Sequence, residues 1–324
     1  MPSTLWALTT YFNPAGYARR RANYRVFRRH LGLPLLAIEW SPDGRFELDD
    51  GDAERLVRVD GGDVLWQKER LINLALRHLP PQCRDVALVD CDVVFERPDW
   101  ARAGLAELAQ HRLVQPFDRA VHLERRPLDE LAEPGGWRRA AAGKIRPAIA
   151  AIHRRSGGDP AELTRAPADQ PHLSPGTAGF AWMAGRELLE TYGLPDTWVM
   201  GYGDLAFFYG ACGLPEHHIG TRRLSPEHAR HFRAWAAPLA AHVGARISYV
   251  PGALMHLWHG ELADRGYDDR FEILHRHGFD PARFLEADGS GVWRLTAAGR
   301  RIAPDVTAYF ARRREDGRDA PGAR

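Results

Sequence analysis

Val86-Ala87-Leu88-Val89-Asp90-Cys91-Asp92-Val93-Val94-Phe95 is the stretch that decides the fold. Four apolar residues in a row have the character of a strand buried on both faces, and they run straight into two carboxylates. In an extended chain, residues two apart point to the same side, which would aim Asp90 and Asp92 at one locus at the strand's carboxyl end. Open α/β sheets bind their ligands at that edge. Two carboxylates held together repel each other unless a proton or a cation sits between them. A divalent ion that also meets diphosphate oxygens relieves the repulsion. A strand end running into a solvated loop is the bland alternative. The apolar residues on both sides of Asp90-Cys91-Asp92 favour metal binding over it.

Upstream, Leu5-Trp6-Ala7-Leu8-Thr9-Thr10-Tyr11-Phe12 reads as a strand stopped by Asn13-Pro14-Ala15-Gly16. Tyr24, Phe27 and Leu31 at helical spacing predict an amphipathic helix over 17–31. Strands follow at 35–40 and 56–59, then a helix over 65–79 ended by Pro80-Pro81. Strands and helices alternating at this spacing predict a Rossmann-like α/β domain with a mostly parallel sheet flanked by helices. Downstream, 113–117 and 179–183 read as strands, 137–155 as containing a helix, and 157–175 as a mobile loop rich in Gly and Pro. Helices are expected over 186–192 and 225–241, the latter capped by Ser225, with a further strand at 247–250. Residues 261–312 read as peripheral helices, and 313–324, almost without apolar side chains, as a disordered tail.

The 324 residues are enough for a substantial core. Lys+Arg 44 against Asp+Glu 42 leaves a net charge of +2, too balanced for a dedicated nucleic-acid binder. The basic runs Arg19-Arg20-Arg21 and Arg312-Arg313-Arg314 read as solvated faces. Cys83, Cys91 and Cys212 include no CxxC pair, so a structural zinc or a disulfide framework is not indicated. No apolar run approaches the ~20 residues of a membrane span. A cytoplasmic protein is expected.

Three further passages carry chemistry. His256 and His259 flank Trp258 and precede Gly260; a histidine completing a site with two Asp gives a mixed N/O donor set that suits Mn2+, with Mg2+ also possible. Ser174-Pro175-Gly176-Thr177-Ala178-Gly179-Phe180 offers glycines that let backbone approach a ligand or simply turn. Gly201-Tyr202-Gly203-Asp204 presents a carboxylate from a glycine-rich turn, a mount for a general base and equally a helix cap. Trp182, Trp198 and Trp258 are candidates to stack on a ligand ring, although aromatic side chains more often fill cores.

In this order and spacing the elements resemble the GT-A glycosyltransferases, in particular bacterial family-2-like and galactosyltransferase-like members. The matching pieces are Thr9-Thr10-Tyr11-Phe12-Asn13, Glu39 on the second strand, a helix with Gln67, Lys68, Glu69, Arg70 and Asn73, the DxD at Asp90-Cys91-Asp92, Gly176 to Trp182, Gly201 to Asp204, and His256 to Gly260. The resemblance implies a nucleotide-sugar-binding half over 1–112 and an acceptor-side half with the catalytic turn over 113–260. It implies transfer of a sugar from a nucleotide diphosphate donor, such as a UDP-sugar, to a glycan or other hydroxyl acceptor. By it, Thr9, Tyr11, Asn13, Glu39, Arg70, Asn73 and Asp90 would hold the donor, and Gly176, Gly179, Trp182 and Trp258 would lie on the acceptor side. Asp90 and Asp92 would address ribose and metal, with Asp92 the preferred direct ligand and His256 or His259, preferably His259, the third. Asp204 would deprotonate the acceptor hydroxyl, with inversion weakly favoured; many relatives carry paired acids at that turn and this chain has one. The competing readings are a nucleotidyltransferase, which lacks its basic glycine loop here, a non-catalytic nucleotide-sugar or carbohydrate-binding protein, and an interaction scaffold.

Overall fold

The computed structural model describes residues 4–167, 174–267 and 270–319. Among the described residues, thirteen strands occur in three sheets. They are β1 (Leu5–Phe12), β2 (Leu35–Ser41), β3 (Arg55–Asp60), β4 (Asp85–Val89), β5 (Val93–Phe95), β6 (Leu113–Gln115), β7 (Arg119–Leu123), β8 (Ala142–Pro147), β9 (Ala181–Gly185), β10 (Ile247–Tyr249), β11 (Ala253–His256), β12 (Leu285–Ala287) and β13 (Trp293–Leu295). The main sheet has the order β10-β6-β9-β4-β1-β2-β3. Its pairings are parallel except those of β9, which runs antiparallel to both β4 and β6. A second sheet, β5-β11-β7-β8, stands beside it, and β12 with β13 forms a hairpin.

The core lies on both faces of the main sheet. On β1 the side chains alternate between them: Trp6, Leu8 and Phe12 join one cluster, while Leu5, Ala7 and Tyr11 join the other. Helices α1 (Ala18–His30), α2 (Lys68–Ala75), α3 (Gly203–Ala211), α4 (Pro226–Val243) and α5 (Ala303–Arg312) include those that carry or brace the site. Ser225 caps α4 as expected, its Oγ accepting from His228 N at 3.2 Å. Helix α1 lacks a local side-chain cap. Instead Asp316, from the far end of the chain, accepts from Ala18 N at 3.1 Å and Arg19 N at 2.7 Å. A carboxylate at a helix N-terminus satisfies orphan donors and meets the positive end of the dipole.

The mostly parallel, helix-flanked sheet matches the expectation, with departures in the loop over 157–175 and in the tail after residue 312. The helix expected within 137–155 is Ile149–Ser156; a short 3-10 turn, Gly136–Arg139, and β8, paired antiparallel to β7, precede it. The loop expected over 157–175 contains a short helix, Pro160–Thr164, and 168–173 lie outside the described residues. The segment 313–319, read as a disordered tail, packs inward: Arg313 is 2% and Glu315 0% exposed. Its charges are matched to partners across the chain, which composition alone does not reveal. Residues 320–324 lie outside the described residues. No helix among the described residues is long and apolar enough to cross a membrane.

Candidate active site

The carboxyl ends of β1 and β4 open into a cleft of about 890 Å3. The extended chain stops at Val89, and Asp90, Cys91 and Asp92 turn out of the sheet. Two backbone bonds fix that turn: Asp90 N donates to Phe180 O at 2.7 Å, and Leu257 N donates to Asp92 O at 2.8 Å. The β5–β11 register then sets Val93 opposite His256, which brings the neighbouring Asp92 side chain against the histidine loop.

Three donor atoms converge there. His256 Nε2 lies 3.1 Å from His259 Nε2; Asp92 Oδ2 lies 3.2 Å from His259 Nε2 and 3.9 Å from His256 Nε2. Asp92, His256 and His259 form the one group among the described residues with the make-up of a metal site. Ligands about 2.0–2.2 Å from a common ion stand roughly 3–4 Å apart, so the donor spacing fits. Asp92 Oδ1 is buried without a hydrogen-bond partner, and two imidazole nitrogens facing each other need a proton or a cation between them. Burial, with His122, His259 and Arg265 adding to it against the pull of Asp92, holds the His256 imidazolium pKa well below its ordinary value. The ring is therefore neutral at physiological pH, as a ligand must be. Burial by itself would raise Asp92, yet His259, His256 and Arg20 hold it below the usual carboxylate range.

The far nitrogens of both rings point away from this locus. His256 Nδ1 lies 2.9 Å from His122 Nδ1 on β7. His122 is pushed down to about 4, chiefly by burial, and so stays neutral at physiological pH. His259 Nδ1 faces Glu315 Oε2 at 3.6 Å. Glu315 is clamped by Arg20 Nε at 2.6 Å and Arg313 Nε at 2.6 Å. Burial opposes its charge, but Arg20, Arg313 and His259 keep it ionised well below its ordinary range.

A second cluster sits across the cleft. Lys68 Nζ, on the first turn of α2, bridges Asp90 Oδ1 at 2.6 Å and Asp204 Oδ1 at 2.9 Å. Burial works against the Lys68 charge, but Asp204, Asp90 and Glu69 hold its ammonium well above its ordinary range. Three carboxylates around one ammonium leave excess negative charge. Burial, then repulsion from Asp204, raises Glu69 to about 8. Asp90 is raised to about 7 by burial and by repulsion from Asp204 and Asp92, against the pull of Lys68. Asp204 lies in the first turn of α3, whose N-cap Tyr202 has φ +71°. Phe180, also on the cleft lining, has φ +83°. Left-handed backbone at non-glycine residues is costly and concentrates at functional sites.

Asp90 and Asp92 therefore line one cleft but face different partners. The turn after Val89 breaks the extended geometry that would have aimed them together, and Asp90 stands with Lys68 and Asp204, not with the donor triad. Gly176 and Gly179 line the cleft. Several anticipated donor residues do not. Thr9 Oγ1 is buried and donates to Val89 O at 2.6 Å. Tyr11 and Asn13 hydrogen-bond Glu47, and Glu39 accepts from the backbone of Glu47 and Leu48. Arg70 pairs with Asp196 and stacks on Trp293, and Asn73 holds Leu194. On β1 it is the opposite face, Thr10 and Phe12, that lines the cleft. Trp182 stacks on Phe208 in the core, and Trp198 packs there against His218 and His228. Trp258 lies under Arg19 and Arg125 outside the cleft lining. The basic runs are not solvated faces throughout: Arg19 is buried, and Arg20 and Arg313 hold Glu315. Sequence reasoning missed Lys68, His122, Arg20, Arg313 and Glu315 as site residues. Lys68 stood one position ahead of an acidic residue on a recognised helix; the others gave no local signal.

No family model matches the chain, and no curated protein matches it. Solved structures to which the chain is similar include glucosyl-3-phosphoglycerate synthase of Mycobacterium tuberculosis in complex with phosphoglyceric acid (12% identity, 91% of this chain and 88% of that one, TM-score 0.39). A second is S. aureus TarS 1-349 in complex with UDP (10% identity, 74% and 70%, TM-score 0.39). A third is a mannosyltransferase from Pyrobaculum calidifontis in complex with GDP-Man and Mn2+ (14% identity, 95% and 70%, TM-score 0.38).

Proposed function

We propose that the protein is a metal-dependent glycosyltransferase that moves a sugar from a nucleotide diphosphate donor to a hydroxyl acceptor. The observation that carries this reading is the convergence of His256 Nε2, His259 Nε2 and Asp92 Oδ2 at the sheet edge, across the cleft from the Lys68-held carboxylates Asp90 and Asp204. Asp92, His256 and His259 would hold a divalent cation. When bound, such an ion supplies Lewis-acid stabilisation of the charge that grows on a departing diphosphate.

The rest is done by the chain's own side chains. Thr10, Phe12 and Trp66 wall the donor end of the cleft, and Arg20 and Arg313 place positive charge there. Lys68 fixes the carboxylates of Asp90 and Asp204 in orientation through Oδ1 of each. Asp204 Oδ2 is turned toward Gly179, where a Cβ would stand 3.6 Å from it. That oxygen is the base that takes the acceptor hydroxyl proton, and the absence of a side chain at 179 leaves room for the acceptor. The Trp side chains at 182 and 198 are committed to core packing, so Phe180 on the cleft wall is the aromatic surface offered to the acceptor.

Thermal unfolding of the purified chain with UDP, GDP, CDP or dTDP, each with and without Mn2+, tests the reading. One nucleotide is expected to raise Tm in a metal-dependent manner, and Asp92→Ala to abolish that shift. No shift with any nucleotide refutes the donor site. A shift unchanged in Asp92→Ala refutes the metal site.

A further inference from the structure

The segment after α5 is tied down at each step. Tyr17 Oη donates to Phe310 O at 3.0 Å and Ala311 O at 2.8 Å, and accepts from Arg314 N at 3.1 Å. Asp316 caps α1. Arg318 pairs with Asp264, and Asp319 pairs with Arg125. This strap crosses directly over Gly260, the residue after His259. Gly260 has φ +91°, and a Cβ there would come 2.9 Å from Arg313 O and 3.1 Å from Glu315 Cα. Only a glycine lets the strap lie this close. The approach delivers one carboxylate, Glu315, to the back of His259.

His259 has two ring nitrogens with different tasks. Nε2 faces Asp92 and His256; Nδ1 is buried, has no hydrogen-bond partner and faces Glu315 Oε2 at 3.6 Å. A carboxylate behind Nδ1 favours the tautomer that carries its proton there, leaving the Nε2 lone pair directed at the donor cluster. Arg20 and Arg313 hold the carboxylate in place, so it cannot swing away to find another donor. His122 stands in the equivalent place behind His256.

We infer that Glu315 is a positioning residue that sets the tautomer of His259, and that docking of the C-terminal strap is thereby coupled to metal binding. The inference rests on the metal reading of Asp92, His256 and His259. Because coupling between two sites is reciprocal, metal must tighten the strap by the same factor by which the strap tightens metal.

The test uses the full chain and Mn2+ alone, titrated calorimetrically. Glu315→Gln is expected to weaken Mn2+ binding 10- to 100-fold, the range found for groups that back a ligating histidine. In the metal-free protein, long-range 15N–1H correlation of labelled histidines is expected to show His259 protonated at Nδ1, and to lose that preference in Glu315→Gln. Because the Gln variant leaves Arg20 and Arg313 facing a neutral amide, Asp316→Ala serves as a second probe. It frees the strap from α1 without touching the cleft, and is expected to speed amide exchange across 313–319 and to weaken Mn2+ binding. In the wild-type chain, Mn2+ is expected to slow exchange across 313–319. Wild-type Mn2+ affinity in both variants, or strap exchange indifferent to Mn2+, overturns the coupling and leaves the metal site standing. A wild-type chain that binds no Mn2+ overturns both.

Discussion

Replacing Lys68 with methionine keeps the length of the side chain and removes the one positive charge between Asp90 and Asp204. The Lys68 side chain is 12% exposed, and those of Asp90 and Asp204 are 26% and 32% exposed. Stripping one partner from a buried ion pair costs ~3–5 kcal/mol, and the partial exposure of the two acids brings the expectation to ~2–4 kcal/mol at pH 8. The loss must depend on pH with a definite sign. Asp90 and Glu69 are already raised to about 7 and about 8, and rise further when the ammonium is gone. A carboxyl raised on folding contributes stability below its unfolded pKa, near 4, and loses it as pH climbs through the folded value. Lys68→Met should therefore approach wild-type stability near pH 5 and fall away from it between pH 6 and 9. Urea denaturation of both proteins at pH 5, 6.5 and 8 measures this. A destabilisation of equal size at all three values would show that the variant loses packing and not charge compensation, and would refute this account of the cluster.

Asp204→Asn should retain metal-dependent nucleotide affinity and lose sugar transfer by about 100-fold or more, the scale of a removed general base; retained turnover removes Asp204 from that role. Gly203→Ala places a Cβ 2.1 Å from Glu69 Oε1, so overpacking of ~1–3 kcal/mol is expected. Glu69→Ala in the same chain should recover most of that loss, which a double-mutant cycle would measure. His228 sits between Trp198 and Phe279 and is pushed down to about 3, chiefly by burial. Its unfolded form protonates near 6.5, so its contribution is present above that pH and is lost as pH falls toward 3, at ~1.4 kcal/mol per unit. His228→Leu should flatten the acid limb of the stability curve by about 2 kcal/mol between pH 7 and 5. An unchanged slope in denaturation experiments would place the acid sensitivity elsewhere.

The central sheet was legible because its signal is local. Buried strands write themselves as apolar runs, and the run from Leu5 to Phe12 matches β1 residue for residue. Which face of β1 meets the cleft was not legible. A strand buried on both sides lacks polar alternation, so nothing local distinguishes Thr9 and Tyr11 from Thr10 and Phe12; only the helices packed on each face decide. The same limit split Asp90 from Asp92, since their parity argument assumes an extended chain and the backbone turns after Val89. Asp92, His256, His259 and Asp204 were readable as chemistry-bearing types beside turn residues. His122 was not, because 119–123 carries no clear strand pattern. Glu315 was hidden for another reason. A charged segment without apolar residues normally stays solvated, but this one is held by ion pairs and by the cap on α1 to partners up to about three hundred residues away.

The antiparallel strand β9 bears on the order in which the molecule assembles. It occupies the slot between β4 and β6, so residues 181–185 must insert before the far half of the sheet has anything to join. Strands β1 to β4 need only the first 89 residues and pair across short connections, whereas seating β9 closes a loop of some ninety residues, whose entropic cost grows with the logarithm of its length. On a ribosome, the β1–β4 layer can pair while the cleft is still half unmade. Refolding followed by pulsed hydrogen exchange should then protect β1, β2 and β4 ahead of β9 and β10; simultaneous protection would mean that the sheet forms in one concerted step.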